Sequence, residues 1–242
     1  MTPRIYLPIL LSNNKKIDLP IDIIHYLNHV LRLKNGHLIT LFNGLGGEYK
    51  AIVELSKKKA SATITEYIDR DNRSKIEIHL GQAISRSDRM DLTLMKATEL
   101  GVYSVSPLQT SKCLTKIKSN KIDKKHLHWE KILISAAEQS GRTDVPVLNH
   151  AQSLENWVQS AFDGCSIIMC PHSENIHFNQ LSISNNKIRL LIGPESGFDD
   201  GEVELAKKNH FIPIKLGNRI LRTETAALAM ISVLQSQFGD FK

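Results

Sequence analysis

Two arginines in the stretch LGNRILRTETAALAMISVLQ, residues 216–235, stand where a fixed charge can do chemistry. Arg219 and Arg222 flank two apolar residues, directly after a predicted strand and directly before a predicted helix. A helix start offers free backbone N–H groups and the positive end of the peptide dipole. Two guanidiniums beside it make a cationic mouth, suited to an anion or to negative charge that develops during a reaction. Thr223 can cap the helix, but a cap does not account for the arginines. The residues that follow are nearly free of charge, so this helix is expected to be buried on all sides, in a core or a subunit interface.

A second stretch, LLIGPESGFDDGEVE, reads as strand, tight turn and helix. Gly193 and Gly197 let the backbone approach a ligand closely, and Asp199 with Glu202 has the spacing of a capping box. No Gly-Lys-Ser/Thr follows, so this is not a phosphate-binding Walker loop, and the dinucleotide-binding glycine spacing is absent. A third, SAAEQSGRTDVP, gathers Glu138, Gln139 and Arg142 around a predicted helix end. There an arginine can serve the last carbonyls and the carboxylate can pair with it. The ribbon SKCLTKIKSNKIDKK, residues 111–125, holds six lysines and one aspartate, either a phosphate-facing segment or an ordinary exposed loop. Cys165, Cys170 and His172 lie close in sequence but lack a fourth ligand and zinc spacing. His25 and His29 are four apart without the glutamate of a metalloprotease helix. No metal site is expected.

The elements that must hold these residues fall into two patterns. Residues 1–70 read as short strands plus one helix, IDIIHYLNHVLRL, closed by Asn35-Gly36. HLITLFNGLGGEYKAIVELS and KKKASATITEYI alternate and are rich in β-branched residues, as hairpins of a small barrel or sheet do. The polar stretch DRDNRSK, 69–75, is the expected linker. From residue 76 strands alternate with helices, which predicts an α/β fold with a mostly parallel sheet. The predicted strands are KIEIHLGQAI, VYSVSPLQT, GCSIIMCP, IRLLIGP and FIPIKLG. The predicted helices include SDRMDLTLMKATELGV, capped by Ser87 or Asp88 and stopped at Gly101, HWEKILISAAEQSGR, GEVELAKKN and residues 223–237. Ligands of such sheets sit beyond the C-terminal strand ends. The loops CPHSE (170–174), GPESGF (193–198) and LGNRILRTE (216–224) are therefore expected at one rim.

Composition excludes several classes. The 242 residues are 41% hydrophobic and 23% charged, which allows a core and argues against wholesale disorder. No apolar run approaches the ~20 residues of a membrane span, and MTPRIYLPIL carries no secretory h-region. Three cysteines without a paired framework fit a reducing cytoplasm. The net charge of +6 is uneven: ten basic and seven acidic side chains in 1–72, thirteen and eight in 73–150, eight and ten in 151–242. A cationic first two thirds favours a polyanionic partner there and different work in the last third.

The motifs PRIYLP, HVLRLKNG, GQAISRSDRMDLTLMKATELGV, WEKILISAAEQSGRTDVP, LLIGPESGF and LGNRILRTETAALAMI occur in this order over nearly the full length. In them the chain resembles the RsmE family of bacterial ribosomal RNA uridine N3-methyltransferases, of the SPOUT class. The resemblance implies an α/β SPOUT-type methyltransferase domain with a C-terminal trefoil knot over 73–242. It is preceded by a small PUA-like β-barrel domain over 1–72 that helps bind RNA. Knots are rare, and this one enters through the resemblance alone. Two places depart from the family pattern: Ser196 stands for a glycine, and Ser111-Lys112-Cys113 for Glu-Arg-Ser. Lys112 keeps a charge without arginine's bidentate fork.

The resemblance further implies S-adenosyl-L-methionine as methyl donor, bound among three loops. The first supplies Met169, Cys170, Pro171 and His172, and the second Leu191, Ile192, Gly193, Glu195 and Gly197. The third supplies Leu216, Gly217, Ile220, Leu221, Arg222, Thr223 and Ala226. The expected reaction is methyl transfer to uridine N3 of small-subunit (16S) ribosomal RNA, without a metal. Arg222 would stabilise charge on the uracil oxygens, and Glu138 or Glu195 would take the N3 proton. Arg4, Arg32, Arg86, Lys112 and Arg142 are the expected RNA contacts, and a homodimer is the expected assembly. Two rival readings stay open: a SPOUT enzyme for another RNA base, and a non-catalytic RNA-binding assembly factor.

Overall fold

The computed structural model describes residues 2–56, 59–113, 119–172, 181, 183 and 185–241, with side chains 119–121 left aside. The chain divides into two units. One comprises Met1–Arg73 with Ala137–Val145, and the other Ser74–Ala136 with Pro146–Lys242.

The first unit is built on a mixed five-stranded sheet. Its strands are β1 (Arg4–Tyr6), β2 (Lys16–Asp18), β3 (Leu38–Phe42), β4 (Glu48–Leu55) and β5 (Ala60–Ile68), in the order β1-β3-β4-β5-β2. The β1–β3 pair is parallel and the remaining pairs antiparallel. Along β4, Ala51 and Val53 point inward while Lys50, Ile52 and Glu54 are exposed, the period of two that a one-sided sheet demands. A register shift between Lys50 and Ala51 interrupts the ladder with β5. The inward residues meet Ile5, Leu7, Ile39, Leu41, Ala62 and Ile64 in one apolar cluster, joined by Ile24 and Leu27. Those last two come from the predicted helix, which begins as α1 (Ile21–His25) and continues as a wider π-type turn over Tyr26–Val30. Gly36 follows at φ +83°, a backbone conformation that glycine adopts without strain.

The second unit contains a wholly parallel sheet. Its strands are β6 (Glu77–Ala83), β7 (Ser104–Gln109), β8 (Val147–Leu148), β9 (Gln152–Ser153), β10 (Cys165–Met169), β11 (Lys187–Ile192) and β12 (Ile212–Ile214). The order is β12-β10-β11-β6-β7-β8, with β9 also on β7. Strands β6, β10 and β11 are buried almost throughout, as parallel strands covered on both faces are. The helices in chain order are α2 (Ser87–Glu99), α3 (Ser119–Ser140), α4 (Leu154–Gln159), α5 (Asp200–Lys208) and α6 (Thr223–Phe238). Gly81 on β6 leaves room for Trp157 of α4; a Cβ there would lie 2.6 Å from the indole ring. The chain passes from the edge strand β12 back to α6, which packs on α2 and β11.

Some sequence expectations change. The residue preceding α2 is Arg86, without a side-chain cap, rather than Ser87 or Asp88. Thr223 is the first residue of α6 and Arg222 stands before it. Within a single chain α6 is buried along one face. In this chain Thr223, Ala227, Met230, Ile231, Leu234 and Gln235 form one buried face, while Leu228, Ala229 and Val233 remain half-exposed. Strands β8 and β9 and helix α4 carried too few residues for periodicity to reveal them. Residues 114–118 of the lysine-rich ribbon lie outside the described residues.

Candidate functional site

Three parallel neighbours, β12, β10 and β11, deliver their exit loops to the same edge of the sheet. A cavity of about 910 Å³ opens between those loops, at the upper end of the range for small-molecule sites. The β10 exit contributes Met169, Cys170, Pro171 and His172. The β11 exit contributes Ile192, Gly193, Glu195 and Gly197, and the β12 exit with the start of α6 contributes Leu216, Ile220, Leu221, Thr223 and Ala226. Leu191, Gly217 and Arg222, also expected there, are not among the lining residues. Leu191 is fully buried in the core instead, and Arg222 is exposed.

The lining also includes residues outside the expected methyl-donor set. Lys112, Pro194, Ser196 and Phe198 wall one side. Asp200, Val203, Glu204 and Lys207 come from α5, and Pro213, Ile214, Lys215 and Arg219 from the β12 strand and its exit. Only adjacency to the glycine-rich turn could have pointed to Pro194 or Phe198. Nothing in the sequence places α5 against the cavity.

The geometry of the wall follows from a few bonds. Thr223 Oγ1 accepts from the buried Gln82 Nε2 at 2.9 Å and donates to the Gly193 carbonyl at 2.6 Å. This relay ties the start of α6 to the exits of β6 and β11. Gly197 has φ +71° and its N–H donates to the Pro194 carbonyl at 2.9 Å, closing the turn. A side chain at Gly197 would be strained there. At Gly193 an added Cβ would lie 3.1 Å from the Phe198 ring, so the glycine lets that ring close over the turn.

Glu195 is held by the backbone N–H of Arg86 at 3.1 Å and by the Arg89 guanidinium at 3.5 Å, both on Oε1. Its other oxygen, Oε2, is buried and has no hydrogen-bond partner among the described residues. A buried carboxylate oxygen left without a donor is costly, so this atom awaits an N–H or O–H, or a positive centre. The walls are otherwise apolar at Met169, Ile192, Ile214, Leu216 and Leu221, with Lys207, Lys215, Arg219 and Lys112 also among the lining residues. That donor and acceptor set fits a molecule with an apolar body, a cationic centre and a carboxylate. Lys207 pairs with Glu204 at 2.8 Å, and that carboxylate raises the lysine pKa. Among the described residues no cluster of His, Cys, Asp and Glu could hold a metal ion. No described helix is long and apolar enough to cross a membrane.

The structure gives Glu138 a different setting. It lies in the first unit, where its Oε1 accepts the Tyr6 N–H at 2.9 Å. Burial raises its pKa above the ordinary 4.5, opposed by the Tyr6 bond and by Arg4. With a raised folded pKa, the native state binds the extra proton over the window from the ordinary value up to the raised one. Stability should therefore fall as pH rises through that window. Glu138→Gln keeps an acceptor for Tyr6 and should flatten this slope, read from urea unfolding between about pH 4 and 7.

Two expected RNA contacts are corrected. Arg4 is nine-tenths buried, paired with Glu48 and donating to the Arg142 carbonyl at 2.8 Å. Arg142 is itself buried and grips Asp144 through two bonds of 3.1 and 3.0 Å. Desolvated and paired, these guanidiniums hold the first unit together and do not face phosphate. Arg32, Arg86 and Lys112 are exposed; Arg32 adopts φ +50°, uncommon for a side-chain-bearing residue.

Comparison with known proteins places this architecture. Residues 72–235 match the model of an RNA methyltransferase domain, and residues 19–65 that of an RNA methyltransferase PUA domain. A ribosomal RNA small subunit methyltransferase E of Buchnera aphidicola is 36% identical, over 98% of this chain and 97% of that protein. The Bacillus subtilis protein of that name is 29% identical, over 88% and 87%. The Neisseria gonorrhoeae methyltransferase E, solved bound to S-adenosyl methionine, superposes with a TM-score of 0.93 at 36% identity, covering all of both chains. Domain models that match residues 19–65 and 72–235, with sequence and fold matched over nearly the whole chain around a cavity at the C-terminal strand ends, leave one assignment: the chain belongs to the ribosomal RNA small subunit methyltransferase E family.

Proposed function

We propose that this chain methylates N3 of a uridine in small-subunit (16S) ribosomal RNA, with S-adenosyl-L-methionine as donor. The observation that carries the reading is the cavity of the second unit, built from the exits of β10, β11 and β12 and bearing the partnerless Glu195 oxygen. The family relative from Neisseria gonorrhoeae, with bound S-adenosyl methionine, supports the donor. When bound, the donor supplies an electrophilic methyl group on a sulfonium.

The residues of this chain divide the remaining work. Met169, Ile192, Leu216 and Leu221 exclude water from the apolar part of the donor, and the Gly193–Phe198 turn shapes the cavity. Uridine N3 bears a proton that must leave before or as its new N–C bond forms. Glu195 Oε2 is the acceptor for that proton, because Arg86 and Arg89 occupy only Oε1. Glu138, committed to Tyr6 in the first unit, takes no part in this assignment. Arg222, exposed beside the lining residues Leu221 and Thr223, stabilises charge on the uracil oxygens as the proton departs. The target uridine leaves its stack to reach the cavity. Arg32, Arg86 and Lys112 are the phosphate contacts. A second copy of the chain covers the half-exposed side of α6, giving a homodimer in the cytoplasm.

The test is nucleoside mass spectrometry of small-subunit ribosomal RNA from a deletion strain, with and without the wild-type gene. Loss of N3-methyluridine on deletion and its return on complementation are expected. An unchanged N3-methyluridine signal would sink the substrate assignment, and loss of another methylated nucleoside would move it to a different base.

A further inference from the structure

The helix cap at the start of α5 is also an anchor for a neighbouring loop. In the capping box, Glu202 N–H donates to Asp199 Oδ1 at 2.7 Å and Asp199 N–H donates to Glu202 Oε2 at 3.0 Å. A cap needs only one oxygen of each carboxylate. Here both second oxygens are engaged by one residue. Ser111 Oγ donates to Asp199 Oδ2 at 2.6 Å, and Ser111 N–H donates to Glu202 Oε1 at 2.8 Å. The Ser111 bond is the leading cause of a lowered Asp199 pKa, so the carboxylate stays ionised and a strong acceptor.

The next residue repeats the connection in both directions. Lys112 Nζ donates to the Phe198 carbonyl at 3.1 Å, and Ser196 Oγ donates to the Lys112 carbonyl at 2.8 Å. The loop that does this is itself braced. The buried Cys113 Sγ accepts the Thr110 N–H at 3.4 Å and lies 3.1 Å from the Thr110 hydroxyl. The β11 exit thus runs past β6 and β7 and is pinned at both: to Arg86 through Glu195, and to the 110–113 turn through Ser196, Phe198 and Asp199. Ser196, Phe198 and Asp200 line the cavity, whereas Ser111 does not.

We propose that Ser111 is a positioning residue for the methyl donor, acting through Asp199 and Glu202 to hold the Ser196–Asp200 wall of the cavity. It touches neither donor nor target. Its contribution is a wall already in place when the donor arrives, which lowers the ordering cost of binding. The proposal rests on the methyl-donor reading of the cavity.

The experiment combines calorimetric titration of S-adenosylmethionine into the full chain with hydrogen exchange over 193–200. For Ser111→Ala the donor Kd should rise about fivefold, less than the full strength of a hydrogen bond to a charged group because Ser111 acts on the donor only through Asp199 and Glu202. Exchange in the wall should quicken, turnover at saturating donor should stay within about twofold, and the ligand-free unfolding midpoint should barely move. Ser111→Thr, which restores the hydroxyl, should recover the Kd. Ser196→Ala removes the second pin and should act in the same direction, so the proposal stands testable if one variant folds poorly. An unchanged Kd and exchange pattern in Ser111→Ala and Ser196→Ala, with normal binding by the wild type, would overturn it. Failure of the wild type to bind S-adenosylmethionine would overturn the reading of the cavity instead, while the exchange data would still decide whether Ser111 anchors the wall.

Discussion

Replacing Arg222 with alanine is expected to lower kcat by about 100- to 1000-fold while leaving the donor KM nearly unchanged, the scale of losing one preorganised charge partner of a developing anion. The backbone at Arg222, φ −66° and ψ 157°, is extended and accessible to alanine. Its carbonyl would still accept the Ala226 N–H at 2.8 Å, so α6 should start where it does now. Both side chains are exposed, but Arg222 lies outside the cavity lining and Arg219 is part of it. Arg219→Ala should therefore show the opposite split, a raised donor KM with a smaller effect on kcat. Steady-state kinetics on both variants decides the matter. An Arg222→Ala enzyme with wild-type kcat would remove this residue from the mechanism, and equal KM effects would remove the distinction between the two.

Arg189→Ala is expected to be the most destabilising single change in the second unit. Arg189 on β11 is buried, and its guanidinium donates to the carbonyls of Trp157 and Ser160 and to the hydroxyls of Ser160 and Ser166, at 3.0 to 3.3 Å. It sits 4.5 Å from the Phe211 ring centroid, 5.0 Å from that of Phe162 and 5.2 Å from that of Trp157. Burial pushes its pKa down to about 10, so it remains charged at neutral pH. The partners are neutral acceptors and aromatic faces, which suit a weakly hydrated planar cation. Truncation leaves a cavity and stranded carbonyls, a loss of about 3–5 kcal/mol. For a domain of this size that lowers the unfolding midpoint by on the order of 10 °C. Arg189→Met fills the volume without the charge and should recover part of the loss. Thermal unfolding of the two variants tests this, and an Arg189→Ala midpoint within about 2 °C of wild type would show that the cage contributes little.

Much of this molecule was legible before folding, because local rules govern it. Period-two alternation announced β4 and β5, and alternating strand and helix patterns announced the parallel sheet. The Asp199–Glu202 spacing announced a capping box that the structure contains. Glycines at 193 and 197 and the three strand-end loops pointed to the cavity edge, because parallel strands present their C-terminal ends together. The family motifs supplied the donor.

Long-range contacts decided the rest. Arg4 reads as a surface cation from sequence, but it finds the distant Glu48 carboxylate inside the first unit; Arg142 pairs with its near neighbour Asp144 and is buried by the fold around it. Glu138 reads as a candidate base, but the fold gives its oxygen to Tyr6. Residues 137–140 are the end of α3, whose earlier residues belong to the second unit, yet the segment 137–145 belongs to the first. Ser111 stands out in sequence only as a departure from the family pattern; what it holds is fixed by residues 88 and 91 positions downstream. Residue type, period and spacing determine which elements form and where glycine is required, since those depend on neighbours along the chain. Which charge is buried, which carboxylate oxygen is left without a donor and which loops brace one another depend on residues that only the tertiary fold brings within hydrogen-bond distance.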